Sequence, residues 1–361
     1  MALSARKKRP ARVFLVALLL IILYFILFPY PLGREIVAKP VWAVPIDGSA
    51  ASAPVTANTA AAPFQLGDTF GYVGSDGGIL HAEKTLFRVS LSAAGYVNYT
   101  RLGTDWIMYD PSGARLFSFS GRGYPLLSTD GLRLFNVKSD LTGIIELNRA
   151  GETLWERDFP TLMTSISLQG DSLLVGLLDG ALLMLNRQGS PVFERSPGGS
   201  RIPVILGCAV SPDAALLASV SGIDPQTLTV LGGQGSAYTT VGKITLASDF
   251  RREPRMGFSP DSRFLAVEGK RSVGLFDPAT ARISWINLSG DLAGIGFPGR
   301  GRFAAVAARN GPRAELRILA PFSAPIARET FPVQELFLGG IDGQLLLGLN
   351  GKLLRIDVEA M

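Results

Sequence analysis

The residues able to do chemistry in this 361-residue chain are few. Cys208 is its one cysteine and His81 its one histidine, which removes an intrachain disulfide, the Ser-His-Asp and Cys-His nucleophile arrangements and His-rich metal sites. No metal and no cofactor is expected on these grounds. Cys208 lies in "SPGGSRIPVILGCAV" (196–210), whose paired glycines raise the question of a phosphate loop. Phosphate-cradling glycines follow a strand and open a helix, and here β structure follows, so that reading fails. "VILGCAV" reads as an apolar inner strand in which the cysteine packs, and His81 in "GILHAEK" as an outer-strand surface residue.

What is left is charge. Three segments, "SPGGSRIP" (196–203), "SGIDPQ" (221–226) and "SDFRREPR" (248–255), carry Arg201, Asp224, Asp249, Arg251, Arg252, Glu253 and Arg255. Arginine's planar donor fork suits carboxylates and phosphates, so on one face these residues would take an acidic peptide or another anion. The same residues serve equally as surface ion pairs, Arg201 with Asp224 and Arg251 or Arg252 with Asp249 and Glu253, each worth about 0–1 kcal/mol. Asp224 with Asp249 also leaves a carboxylate pair of the kind glycoside hydrolysis uses.

Whether the three segments meet depends on the elements that carry them. Beyond residue 64, short apolar or alternating runs are separated by turn residues, with 41 glycines and 23 prolines in the chain, which reads as all-β. "DWIMYDPSGARLFSFS", "GIIELNRAGETLWERDF", "ALLMLNRQGSPVFERS" and "SVGLFDPATARISWINL" are each a strand, a turn opened by Asp or Asn, and a second strand. Asp110, Asn148, Asn186 and Asp277 hold the turn position at spacings of 38, 38 and 91 residues. Another hairpin precedes each of these, as in "LLSTDGLRLFNV", "AVSPDAALLASV" and "GFSPDSRFLAVE". Four strands recurring at this period predict β-propeller blades, which bury their faces only against neighbours.

Six full blades are expected, over 86–121, 122–160, 161–196, 202–249, 253–289 and 290–331. The strands from Gln334 onward stop without a fourth, and pairing them with 69–74 or 79–84 predicts a seventh, composite blade that closes the ring. The expected fold is therefore an all-β, seven-bladed propeller of four-stranded antiparallel blades. Consecutive loops open at opposite ends of a blade, so the loops after strands two and four share a face. That parity places all seven charged residues on one face.

The formal net charge of +5 and the pI near 9.4 come from Arg6, Lys7, Lys8, Arg9 and Arg12; without these five, 30 basic residues face 30 acidic ones. A nucleic-acid partner is not supported by a balanced remainder. The apolar run "VFLVALLLIILYFILF" (13–28) follows, fourteen of its sixteen residues Leu, Ile, Phe or Val, and extended to Leu32 it would be about 30 Å long as a helix, the thickness of a bilayer core. No small-x-small cleavage site ends it, so a transmembrane signal-anchor helix over 13–32 is preferred to a cleaved signal peptide. The positive-inside rule leaves 1–12 in the cytoplasm. Residues 33–63, rich in Ala, Pro, Ser and Thr, read as a linker, and 64–361 as an extracytoplasmic propeller domain.

"FSPDSRFLAVEG" with "LFD" resembles the blade core of WD-repeat and related bacterial propellers. Asp277, Thr280, Ala281 and Trp285 in "DPATARISW", and more loosely Asn148, Gly151 and Trp155 in "NRAGETLW", resemble the docking motif of PQQ-like blades. The cofactor, metal site and disulfide of quinoprotein dehydrogenases have no counterpart in these residues. In organisation the chain is similar to membrane-tethered bacterial envelope propellers, which include a PQQ-like lipoprotein of outer-membrane protein assembly. That resemblance implies a non-catalytic protein-interaction scaffold, in an inner-membrane protein facing the periplasm. A hydrolase using acidic rim residues and a ligand-binding sensor are the alternatives, the latter short of a cytoplasmic output.

Overall fold

The computed structural model describes residues 18, 23–24, 36–46, 61–100, 103–322 and 325–360. Residues 38–358 group as one compact unit, and 1–37 with 359–361 as another, of which only a few residues at strand ends and in the helical positions Leu18, Leu23 and Tyr24 are described. Among the described residues, antiparallel strands form eight sheets, seven of four strands and one of three.

The six full blades expected from the repeats are present, with strands spanning 88–120, 123–158, 163–195, 205–246, 256–287 and 291–332. The expectation of seven blades is wrong, because the two chain ends build two blades instead of one. β1 (Ile36–Pro45) is the outer strand of the sheet formed by Leu336–Ile341, Gln344–Leu349 and Lys352–Ala360. β2 (Ala61–Leu66), β3 (Thr69–Gly74) and β4 (Ile79–Lys84) form a blade of their own. Neither β3 nor β4 fills the C-terminal sheet; a strand from the stretch read as linker does. Counted along the chain, β2–β4 are blade 1, the six repeats are blades 2–7, and the C-terminal strands with β1 are blade 8.

The remaining part of that expectation, a membrane-crossing helix, is corrected as well: among the described residues no helix is long and apolar enough to cross a membrane. The stretch 13–32 on which it was placed lies outside the described residues apart from Leu18, Leu23 and Tyr24.

Middle strands, and the inner strand of blade 5, are buried on both faces because a neighbouring blade covers each. Ile205–Val210 is buried along its whole length, and Leu265–Gly269 likewise, whereas the outer strand Thr153–Asp158 alternates between exposed and half-buried. Eight apolar clusters result, and each spans a seam between adjacent blades. The seam between blades 8 and 1 packs Phe64 and Val73 against Ile341, Leu346 and Leu353, with Trp42 and Val44 of β1 laid over them. Trp42 Nε1 donates to the Ser75 carbonyl at 2.9 Å and Ile46 N–H to that of Gly351 at 3.0 Å. The ring is closed by packing between segments from the two ends of the chain.

Candidate functional site

Local chemistry sets each blade's turns. Asp110 Oδ1 accepts from the N–H groups of Ser112 and Ala114, both at 2.9 Å, and Asn148 Oδ1 from those of Ala150 and Glu152 at 2.8 and 2.9 Å. Asn186 repeats the pattern with Gln188 and Ser190. In the preceding hairpins a serine hydroxyl donates to an aspartate two residues on, Ser211 to Asp213 and Ser259 to Asp261, each at 2.6 Å. These self-contained turns lie at the ends opposite the charged segments.

On the other face, the three charged segments are bonded to one another. Ser200 Oγ accepts the N–H groups of Ile223 and Asp224 at 3.2 and 3.1 Å, and Arg201 N–H donates to the Asp224 carbonyl at 3.2 Å. Gly222 permits this approach: its φ is +84°, and a Cβ there would meet Ser200 Cβ at 2.5 Å. Gln226 joins the second segment to the third, its Nε2 donating to the Phe250 carbonyl at 2.6 Å while its Oε1 accepts from Ser248 Oγ at 2.7 Å.

The expected ion pairs are replaced by others. Arg252 makes a two-pronged pair with Glu268 at 2.9 and 2.6 Å, and Glu268 also accepts the Arg255 N–H at 2.8 Å. Glu268 is held in place by these bonds, and the Arg252 guanidinium, stacked 4.8 Å over Phe250, has its pKa raised first by its hydrogen bond to Glu268. Asp249 lies 3.8 Å from Lys270. The guanidinium groups of Arg201, Arg251 and Arg255 have no ion-pair partner among the described residues.

Arg252, Glu253 and Arg255 also line a cavity of about 760 Å³ whose walls include Ile166, Cys208, Met256, Leu292 and Ile295, from the inner strands of blades 4 to 7. This is the axial channel of the ring. Glu253 reaches across it, accepting a hydrogen bond of 2.5 Å from Ser165 Oγ of blade 4, and Ser165 in turn accepts the Cys208 N–H of blade 5 at 3.0 Å. The Glu253 carboxyl touches channel solvent yet is walled in by protein, and burial raises its pKa against the opposing effect of Ser165. Burial pushes the Cys208 thiol up to about 12, which keeps it protonated and unreactive at neutral pH. His81, expected at the surface, is half-buried: it shares a 2.8 Å hydrogen bond with the Tyr96 hydroxyl and stacks on that ring. Among the described residues no group of three or more His, Cys, Asp or Glu is placed to hold a metal ion.

The sequence reading missed a second component of this face. Leu141, Leu162, Leu178 and Ile202 are 37–46 % exposed, each in a loop after a second or fourth strand. Main-chain bonds set them in a row: Met163 N–H donates to the Leu141 carbonyl at 2.8 Å and Leu178 N–H to that of Leu162 at 2.9 Å. Gly180, at φ +92°, lets the next turn press on the Pro203 carbonyl where no Cβ would fit. The row ends at Ile202, next to Arg201. The available signal was a large apolar residue in each successive loop of one parity from blade 3 to blade 5, as in "SDLTG" and "LLDG".

Comparison with known proteins places this geometry. A family model described as beta-propeller protein matches residues 4–361. An uncharacterized protein of Treponema pallidum (strain Nichols) is 22 % identical over 351 residues, covering 95 % of this chain and 93 % of that protein. The crystal structure of BamB from Moraxella catarrhalis is similar with a TM-score of 0.60 at 18 % identity, over 89 % of this chain and 100 % of that one, a likeness of fold.

Proposed function

We propose that this chain, which belongs to the beta-propeller protein family, works as a non-catalytic protein-interaction scaffold. Its docking face is the set of loops after the second and fourth strands. The observation that carries this reading is the apolar row from Leu141 to Ile202 running into three arginines, Arg201, Arg251 and Arg255, whose guanidinium groups have no ion-pair partner among the described residues. A contiguous exposed apolar strip on a folded protein marks a binding surface, and adjacent unpaired guanidinium groups select carboxylates. The partner is then a protein segment with apolar side chains followed by acidic ones. A binding role is favoured over hydrolysis because Glu253 is the one carboxylate among the described residues lining the channel cavity, and neighbouring Glu268 is held by Arg252 and Arg255.

The basic residues 6–12 and the apolar run 13–28 support attachment of the scaffold to a membrane in the bacterial cell envelope, with the ring on the extracytoplasmic, periplasmic side. The motifs around Asp277 and Asn148 favour blades of PQQ-like or WD-repeat type. Two measurements test the reading. Crosslinking in cells is expected to yield a discrete partner that is lost when Leu162 and Leu178 become Asp, or when Arg201, Arg251 and Arg255 become Glu; unchanged capture by both variants refutes the face. A reporter active only outside the cytoplasm, fused after Met361, is expected to be active, and an inactive fusion overturns the orientation.

A further inference from the structure

The opposite face, where loops after first and third strands open, carries a groove of about 610 Å³ between blades 2 and 3. Its floor includes the buried Met108 and Leu134. Its rim is set by Leu116 and Leu154 on neighbouring outer strands and Leu132 in a turn, which are 51 %, 55 % and 62 % exposed. Large leucines left in water around an apolar hollow are costly unless something covers them.

The polar groups at the groove are almost all occupied. Glu146 is bound by Arg133 at 2.9 and 2.7 Å and by Trp155 Nε1 at 2.7 Å. Asp110 and Asn148 are committed to their own turns, and Arg187 pairs with Asp171 at 2.9 Å. Arg149 alone of the charged residues lining the groove has no hydrogen-bond or ion-pair partner among the described residues.

From one unpaired cation beside an apolar hollow we infer that this groove is a second docking site, for a peptide segment of a partner protein with large apolar side chains next to an Asp or Glu. The apolar side chains fill the hollow between Leu116, Leu132 and Leu154, and the carboxylate meets Arg149. A peptide fits better than a small amphiphile because the exposed leucines extend the apolar area to the rim, beyond what a ligand lying in the hollow covers. With the arginine-bearing face at the other end of the ring, the scaffold would hold two partners at once.

Selection of a random peptide library against the full 361-residue chain, immobilised through its C-terminus, tests the inference. Enriched peptides are expected to combine apolar residues with Asp or Glu, and to bind Leu132→Asp and Arg149→Glu at least about tenfold more weakly. Peptides that respond to the groove variants are expected to bind Arg282→Glu, an exposed change on the outer strand of blade 6, like the parent. If Leu132→Asp fails to fold by circular dichroism, Arg149→Glu decides alone, since its guanidinium has no hydrogen-bond or ion-pair partner among the described residues. The inference is overturned if no peptide is enriched, if enriched peptides bind both groove variants like the parent, or if they respond only to Arg251→Glu. It is equally overturned if dodecanoate, offered separately, binds the groove while peptides do not.

Discussion

Glu315 is fully buried while Glu253 meets channel solvent between protein walls, and desolvation by the surrounding protein pushes both carboxyls toward the neutral form; their neighbours decide the outcome. Glu315 accepts from Arg317 and from the Ser289 N–H at 2.9 Å and pairs with Arg328 at 2.6 Å, and the donors Arg317 and Ser289 overcome burial and lower its pKa to about 2. Glu253 has one hydroxyl donor, Ser165, and its pKa rises. The two residues therefore contribute to stability with opposite signs. Because the folded Glu315 binds its proton more weakly than the unfolded chain does, its contribution is full above 4.5 and is lost as pH falls toward 2. Urea unfolding between pH 2 and 7 is expected to show that loss in the parent, and a shallower decline in Glu315→Gln, which starts from lower stability at pH 7. For Glu253 the ionised form is the disfavoured one in the fold, so Glu253→Gln is expected to unfold at higher urea than the parent at pH 7. A lower midpoint would mean that the charge is needed in the channel.

At the scale of elements, the turns are legible and β1 is not. The Asp and Asn turns and the Ser-x-Asp turns close bonds within two to five residues, as Asp110 does with Ser112 and Ala114 and Ser211 with Leu216, so residue type and spacing encode them. β1, "IVAKPVWAVP", holds two prolines and adjoins an Ala-, Pro- and Ser-rich stretch, which argues against a strand in isolation. As the outer strand of blade 8 it tolerates proline, because an edge has no outer neighbour to receive the missing N–H. Trp42 covers the seam between blades 8 and 1 and donates to Ser75, so Trp42→Ala is expected to cost about 2–3 kcal/mol in thermal or urea unfolding. Trp42→Phe, which keeps the ring packing, should recover most of it.

For the ring as a whole, each blade depends on two neighbours for cover, so the seam that joins the chain ends decides whether the blades unfold together. Deleting residues 36–46 removes the outer strand of blade 8 and uncovers Ile341, Leu346 and Leu353. Hydrogen exchange is expected to show blades 8 and 1 opening first in that variant, with blades 4 and 5 retaining protection. Uniform exchange across all blades would show that closure by β1 is unimportant. The sequence by itself determined the all-β class, the six central blades, the turn grammar and the loop parity that gathers Arg201, Asp224 and the 248–255 segment on one face. These follow from periodicity and from bonds made within a few residues. Only the tertiary structure decided that there are eight blades, that β1 closes the last, that Arg252 pairs with Glu268 and not Asp249, and that Leu141, Leu162, Leu178 and Ile202 form one row. Those features arise between segments far apart in the chain, where the packing of neighbouring blades, and no local pattern, chooses the partners.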